Sequence, residues 1–236
     1  MAMRLTWLGH SAFRIEIPGA VLLIDPFLSG NPAFPGDHAA VLAGVTHIVL
    51  THGHGDHIGD TLAIAAASGA KIVADADLCG FLGARGATRL DPMNSGGTTD
   101  QGPFRISFTV AHHSSGFLDP QTGVTHAMGH PHGIVIRAAG ERTLYHAGDT
   151  DIFSDMALID EIYAPKIGIL PIGDRFTMGG AVAALAARRF FHFDVAIPCH
   201  YGTFPLLDQT ADKFVEGMKG APTKVLVTSP GEVLTL

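Results

Sequence analysis

The feature that most constrains this chain is the segment 51–57, THGHGDH, which follows the apolar run 47–50. It carries three imidazoles and one carboxylate, and these are the groups that bind zinc, manganese or ferrous iron. Glycines at 53 and 55 let the backbone turn tightly. His52 and His54 can then serve one metal ion, while Asp56 and His57 face a second. The segment predicts a metal site at the end of a buried strand rather than a solvated loop.

Short apolar strands with a few helices between them run along the whole chain. Segments 21–24 and 167–170 are continuous apolar runs, as in strands covered on both faces. Helices are predicted over 58–67, 77–84, 152–163, 180–191 and 207–218. In 180–191, helical spacing of apolar residues predicts an inward face made by Val182, Leu185, Ala186 and Phe190. We expect an α/β (α+β) fold, a four-layer α/β/β/α sandwich of two packed mixed β-sheets flanked by helices. No linker divides the chain, which predicts a single domain over 1–236.

Composition and charge exclude several classes of partner. The formal charge of −7 argues against a nucleic-acid groove, which needs a concentrated basic surface. Only two cysteines are present, far apart, which favours a reducing compartment. Arg4, Arg14 and Glu16 interrupt the N-terminal apolar residues, and no run is long enough to span a bilayer. We expect a cytoplasmic protein with a small-molecule substrate and no nucleic acid or membrane partner. The sequence does not decide whether the protein forms a homo-oligomer.

Polar clusters follow the ends of four predicted strands. Apolar residues 48–50 lead into 52–57, 108–110 into 112–114, 144–145 into 146–150, and 195–197 into 199–201. Side chains set at strand ends on one sheet edge can be held in fixed geometry by the scaffold. This recurrence favours one shared site over four independent loops.

These segments, in this order, resemble the metallo-β-lactamase superfamily over nearly the whole chain. More narrowly, the chain is similar to metal-dependent hydrolases related to bacterial L-ascorbate phosphate lactonase. The segments that carry this resemblance are LGHS at 8–11, HSS at 113–115, YHAGDT at 145–150, LPIG at 170–173 and PCHYGTF at 198–204. The resemblance specifies the chemistry more firmly than the substrate.

The resemblance implies seven ligands for two divalent metal ions per chain, zinc or manganese. His52, His54 and His113 would bind the first ion, and Asp56, His57 and His200 the second, with Asp149 bridging both. Strand alternation lets only one of His112 and His113 face the site, and the resembling motif places the ligand directly before Ser114. Asp149 as a turn-former and His200 as a core histidine are the structural alternatives.

Other residues carry weaker predictions. Asp25 either orients a ligand histidine from behind or forms a simple turn. His10 either contacts substrate or supports the site. Pocket residues by placement alone are Arg175, Thr177, Tyr201 and Thr203. Histidines 126, 130 and 132 lie in a Gly/Pro-rich segment, 125–133. The segment either lines the mouth of the pocket or is a solvated loop, and its composition favours the loop.

The resemblance implies a binuclear hydrolase of a small-molecule ester, lactone or phosphoester, acting through a metal-bridging hydroxide. Two metal ions lower the pKa of a shared water, and Asp56 and Asp149 are the catalytic carboxylates. A flavodiiron protein would carry glutamate in place of His54. We expect a substrate that is anionic or sugar-derived, with Arg175 holding its charge. The alternatives are a phosphodiesterase acting on nucleotides and a metal-binding scaffold that has lost activity.

Overall fold

A computed structural model describes residues 2–236, which form sixteen strands and seven helices. The strands are β1 (Arg4–Trp7), β2 (Phe13–Ile17), β3 (Ala20–Ile24), β4 (His47–Val49), β5 (Lys71–Asp75), β6 (Leu90–Met93), β7 (Thr98–Asp100), β8 (Phe104–Val110), β9 (Gly116–Leu118), β10 (Thr125–Ala127), β11 (His132–Ala138), β12 (Leu144–His146), β13 (Ile167–Pro171), β14 (Val195–Cys199), β15 (Lys224–Val225) and β16 (Val233–Thr235). The helices are α1 (His38–Leu42), α2 (Gly55–Ile58), α3 (Thr61–Ser68), α4 (Ala76–Gly83), α5 (Met156–Tyr163), α6 (Gly180–Phe190) and α7 (Asp212–Gly217).

Two seven-stranded mixed sheets build the molecule. The first has the strand order β16-β1-β2-β3-β4-β5-β6, and the second has the order β15-β14-β13-β12-β11-β8-β7. In each sheet one half is antiparallel and the other half is parallel. The central parallel strands β13 and β14 are buried at every position, as their continuous apolar runs predicted. A separate hairpin pairs β9 with β10.

The sheets pack face to face over the main hydrophobic core. This core joins side chains of both sheets, such as Phe13 and Phe108, with residues of α5, α6 and α7. A second core lies between the first sheet and helices α1, α3 and α4, and includes Leu23, Ile64 and Leu78. The predicted four-layer α/β/β/α sandwich is confirmed. Among the described residues, no helix is long and apolar enough to cross a membrane.

Strand direction brings the predicted polar clusters to one edge of the sandwich. In the first sheet, β1, β3, β4 and β5 run in the same direction, and in the second sheet β8, β12, β13 and β14 do so. Their carboxyl ends therefore lie together, and the side chains that follow them converge on one region. This topology positions the site.

The buried face of α6 differs from the prediction. Val182 and Leu185 are exposed, and the helix buries its alanines at 183, 184, 186 and 187 instead. The reason is close packing against α7. A Cβ at Gly217 would come within 2.6 Å of the Ala184 Cβ, so only small residues fit between the two helices. The predicted inward face is therefore wrong at Val182 and Leu185 and correct at Ala186.

The helix predicted over 58–67 corresponds to α3, which begins only at Thr61, after α2 has ended at Ile58. They are separated at Gly59, where φ is +32° and an added Cβ would lie 2.5 Å from the Phe27 Cα. The loop after β3 therefore packs too closely for a continuous helix at this point. The helix predicted over 207–218 is shorter, spanning Asp212–Gly217. Elements α1, β6, β7, β9 and β10 were not predicted; all are short and have weak apolar periodicity.

Candidate metal centre

Gly53 in segment 51–57 serves close packing rather than the tight turn that the sequence predicted. After β4 the chain runs extended to His54, which precedes the single turn of α2. Neither Gly53 nor Gly55 has a positive φ. Gly53 is needed for a different reason, because an added Cβ would lie 2.2 Å from the Met128 Cβ. The turn of α2 carries Asp56 and His57, and the His57 ring stays beside the His52 ring, with centroids 4.1 Å apart.

The first cluster consists of His52, His54 and His113, whose ring nitrogens lie within 4.8 Å of one another. His52 Nε2 is 2.8 Å from His54 Nδ1. The ring of His113 is edge-on to both, with centroids 5.1 Å from His52 and 5.0 Å from His54. His52 is fully buried, while His54 and His113 are half-buried. Three imidazoles at this spacing can hold one divalent cation.

The structure places His113, not His112, in the first cluster. His112 is exposed, and its ring stacks on Phe153 with the planes 2° apart. The main chain also turns it away, since the His112 N–H donates to Thr150 Oγ1. Strand alternation at the end of β8 therefore selects the second histidine of the pair, as the sequence motif implied.

The second cluster consists of Asp56, His57, His200 and, in addition, His10, with ligand atoms within 4.8 Å of one another. His57 and His200 are buried, whereas the Asp56 carboxylate is half-exposed. His10 was not predicted as part of this group; its Nε2 is 3.1 Å from Asp56 Oδ2. The four residues come from three segments that are distant in sequence.

Asp149 lies between the two clusters. Its Oδ2 is 3.0 Å from His200 Nε2, 3.3 Å from His57 Nε2 and 3.6 Å from His113 Nε2. The carboxylate is buried at the end of β12, after Gly148 with φ of +65°. One oxygen thus approaches histidines of both groups, which is the arrangement that a bridging carboxylate needs.

Asp25 holds a histidine of each cluster from behind. Its Oδ2 is 2.7 Å from His57 Nδ1 and accepts a hydrogen bond from the Thr51 hydroxyl (2.6 Å), while its Oδ1 accepts one from the Thr51 N–H (2.8 Å). The Thr51 hydroxyl lies 2.9 Å from His52 Nδ1. The acceptor Asp25 places a hydrogen on His57 Nδ1, and the Thr51 hydroxyl, which donates to Asp25, can accept from His52 Nδ1. Both Nε2 atoms are then free to bind a cation.

Backbone strain coincides with the site. His10, Asp25 and His200 have φ values of 55°, 43° and 58°, in the left-handed region that non-glycine residues seldom adopt. Such strain costs on the order of 1–3 kcal/mol per residue and persists only where the surroundings enforce it. Its concentration at three residues of one site indicates that side-chain placement there takes priority over backbone stability.

The donor set fits divalent cations. Among the described residues, His57 Nε2 and Asp149 Oδ1 are buried without a hydrogen-bond partner, although His57 Nε2 approaches Asp149 Oδ2. Buried polar atoms are otherwise almost always hydrogen-bonded, so these two atoms have room for a bond to a cation. Nitrogen and carboxylate oxygen without a thiolate are ligands for zinc or manganese.

The electrostatics also favour a cation. Burial opposes charging of His57, but the carboxylates of Asp149 and Asp25 raise its pKa well above the ordinary value. Burial opposes the Asp149 carboxylate as well, yet the imidazoles of His200 and His57 hold its pKa well below the usual range. Burial lowers the pKa of His52. In the metal-free protein, a protonated His57 therefore supplies the positive charge between the carboxylates of Asp25 and Asp149. A bound metal ion would supply that charge in its place.

Comparison with known proteins assigns the family. Residues 21–201 match the family described as beta-lactamase superfamily domain. A metal-dependent hydrolase of Chelativorans sp. is 57% identical over 99% of this chain and 100% of its own length. A metal-dependent hydrolase of Brucella canis is 58% identical over 98% of both chains. The solved structure of a metallo hydrolase from the hyperthermophilic archaeon Ignicoccus hospitalis is 34% identical, covers 100% of this chain and 99% of its own, and has a TM-score of 0.88.

The chain belongs to the beta-lactamase superfamily. Within it, the chain is a hydrolase of the group whose members are named metal-dependent hydrolases. The resemblance to the metallo-β-lactamase superfamily, inferred from the strand-end motifs, is confirmed.

Three of the predicted pocket residues, Arg175, Thr177 and Thr203, lie in loops. Arg175 is exposed, in the turn that follows β13, with φ of 50°. The Thr177 side chain is half-buried and donates to the Met178 carbonyl oxygen. Thr203 is buried and donates to the Tyr201 carbonyl oxygen. These contacts are local.

Tyr201 belongs to the core of the hydrolase. Its ring is buried and stacks on Trp7 with centroids 5.2 Å apart. Alternation explains this position, because His200 and Tyr201 are neighbours and His200 points into the second cluster. The structure therefore does not support a substrate-pocket role for Tyr201.

The reading of 125–133 as a solvated loop is wrong in part. His126 lies in β10, and His132 begins β11 and is fully buried. His132 Nε2 is 2.8 Å from Asp75 Oδ2, and its Nδ1 is 2.9 Å from Ser95 Oγ. This trio connects the two sheets at the edge that carries the site. The sequence shows an apolar run directly after His132, but the Gly and Pro residues before it hide that the strand already begins at His132.

Proposed function

We propose that the protein is a binuclear metal-dependent hydrolase that cleaves a small-molecule ester, lactone or phosphoester. The observation that carries this proposal is the position of Asp149, whose Oδ2 lies within 3.6 Å of histidines from both clusters. Two separate mononuclear sites would not require a shared buried carboxylate. Residues that would hold the first ion are His52, His54 and His113, those for the second are Asp56, His57 and His200, and Asp149 would bridge them.

Two divalent ions, zinc or manganese, would lower the pKa of a water and polarise the attacked oxygen when bound. The chain's own contribution is to hold the ligands in fixed geometry. Asp25 and Thr51 set which nitrogen of His57 and of His52 carries hydrogen. Asp56 is the one half-exposed carboxylate of the two clusters, so we assign it the movement of protons between the site and the substrate.

A protein nucleophile is not part of the proposal. Cys199 is the last residue of β14, directly before His200, but its thiol is fully buried, and burial raises its pKa well above the ordinary value. A buried neutral thiol is a poor nucleophile. Hydrolysis by an activated water agrees with a cluster that contains only imidazoles and carboxylates.

The accessible side of the site indicates how substrate enters. His54, Asp56 and His113 are half-buried, while His52, His57 and His200 lie behind them. The substrate therefore approaches over the half-buried side chains. A small molecule suits a chain with a net charge of −7 better than a nucleic acid does. Arg175, exposed in the turn after β13, supplies a positive charge for an anionic substrate.

The test is a hydrolysis panel of sugar lactones, thioesters and phosphodiesters, assayed with zinc or manganese and with chelator. We expect metal-dependent turnover of one class of ester or lactone, and its loss in Asp149→Asn. Asp75→Asn is the matched control, because Asp75 is also a buried carboxylate facing a histidine but lies outside the clusters. Turnover of phosphodiesters alone would favour the nucleotide phosphodiesterase. Inactivity with two ions bound would favour the scaffold.

A further inference from the structure

We propose that His10 is a positioning residue that orients Asp56 toward the second cluster. The inference rests on the proposed function, since it assigns Asp56 to the second metal ion. It goes further by explaining how a carboxylate on a single helical turn is held in one orientation.

The main chain of His10 is fixed from two sides. Its carbonyl oxygen accepts hydrogen bonds from the Trp7 indole N–H and from the His200 backbone N–H, each at 2.9 Å. These bonds hold residue 10 in the left-handed region, with φ of 55°. The bond from His200 also ties His10 to another member of the cluster. The imidazole therefore starts from a backbone that the surrounding fold defines.

Ring contacts then set the direction of the side chain. The imidazole is fully buried, with its centroid 4.0 Å from His200 and edge-on to Phe27 and Phe204 at 6.0 and 5.3 Å. Among the described residues, its Nδ1 has no hydrogen-bond partner. The polar contact of the ring is the one from Nε2 to Asp56 Oδ2, at 3.1 Å.

The chemistry of this pair determines where the hydrogen lies. An ionised carboxylate only accepts, so the Nε2 of His10 is the donor. The bond fixes Oδ2 of Asp56 and leaves its other carboxylate oxygen for a cation. Without the bond, Asp56 can rotate toward solvent, because it lies on the one-turn helix α2 and is half-exposed. Hydrogen-bonded partners of metal ligands commonly change metal affinity by this means.

Two substitutions separate donation from packing. His10→Phe keeps an aromatic ring between Phe27 and Phe204 but removes the donor. His10→Gln places an amide N–H near the position of Nε2 and restores it. His132→Phe is the matched control, because it removes a buried imidazole that donates to a carboxylate, Asp75, outside the clusters. Urea melts with chelator establish that each full-length variant folds.

The measurement is calorimetric titration with zinc ions alone and with manganese ions alone, together with elemental analysis. We expect His10→Phe to weaken the second ion about 10- to 100-fold while the first binds as in the original protein. His10→Gln should recover most of that loss. His132→Phe should lose stability yet bind both ions with unchanged affinity.

Three results would overturn the inference. If His10→Phe binds both ions with unchanged affinity, the bond to Asp56 has no positioning role. If His10→Gln loses the second ion as completely as His10→Phe, His10 is itself a metal ligand. If the original protein binds fewer than two ions, the proposed binuclear function fails and this inference fails with it.

Discussion

Replacing Asp25 by asparagine should lower both the free energy of unfolding and the affinity for the second metal ion. Asp25 is fully buried and accepts three hydrogen bonds, two from Thr51 and one from His57. Asparagine has almost the same shape, so the change removes the charge and one acceptor atom without creating a cavity. The Thr51 N–H can still donate to the remaining oxygen. Neither of the two bonds to Oδ2 can persist, because the amide nitrogen that replaces Oδ2 does not accept.

The magnitude follows from those two bonds. A hydrogen bond to a charged group contributes about 1.5–3 kcal/mol, and part is regained because the Thr51 hydroxyl can turn and accept. We expect the free energy of unfolding of the metal-free protein to fall by about 3 kcal/mol, in line with the removal of one partner from a buried pair. His57 would regain a bond only by giving up its Nδ1 hydrogen and keeping the one on Nε2, the nitrogen that faces Asp149 at 3.3 Å.

That tautomer connects stability to metal binding. With hydrogen on Nε2, His57 has no lone pair for a cation, and the affinity for the second ion should fall about 10- to 100-fold. The assays are urea denaturation with chelator and calorimetric titration with zinc. Asp75→Asn, a second buried carboxylate paired with a histidine, should lose comparable stability and bind zinc normally. A large stability loss in Asp25→Asn with unchanged zinc affinity would refute the reasoning.

Three further predictions concern the same site. Elemental analysis should find two ions per chain; His113→Ala should lose the first, whereas His112→Ala should keep both, and the reverse result would show that His112 is the ligand. Chelation should lower the melting temperature by several degrees or more in a thermal scan, because ions that bind only the folded chain stabilise it; an unchanged scan after verified metal removal would show a preorganised site. Burial lowers the pKa of His146 to about 4, so below its ordinary value of 6.5 the unfolded chain binds a proton that the folded chain does not. Stability of the metal-free protein should therefore fall by about 2 kcal/mol between pH 7 and pH 5 from this group. His146→Asn, which keeps an acceptor for the Gly148 N–H, should remove that part of the pH dependence in urea melts, and an unchanged slope would contradict it.

The candidate metal-ligand residues at the strand ends could be predicted from the sequence, because each lies close in sequence to an apolar strand. The buried strands β13 and β14 contain the apolar runs 167–170 and 195–197, and His200 follows β14 directly, while His52 and His54 come after β4. The short elements were less readable. Strands of two to four residues, such as β7 and β9, contain too few side chains to show a period.

The roles of residues that support the metal ligands could be assigned only from the structure. Asp25 was open between a turn and an orienting role, and its contacts with Thr51 and His57 cross 26 and 32 residues of sequence. His10 was open between substrate contact and support, and its partner Asp56 lies 46 residues away. His132 was read as solvated because a Gly/Pro-rich context hides a strand that pairs only in the folded sheet. Such pairings leave no local pattern.

The sequence by itself determined the type of chemistry in this protein, because ligand residue types and their spacing after apolar strands are local properties. Tertiary structure decided which neighbours face inward, with His113 in the first cluster and Tyr201 in the core. It also decided that Asp149 lies between the clusters and that Asp25 and His10 support them. The physical reason is that these placements depend on the packing of two sheets and on left-handed backbone at three residues, which only contacts between distant segments can enforce.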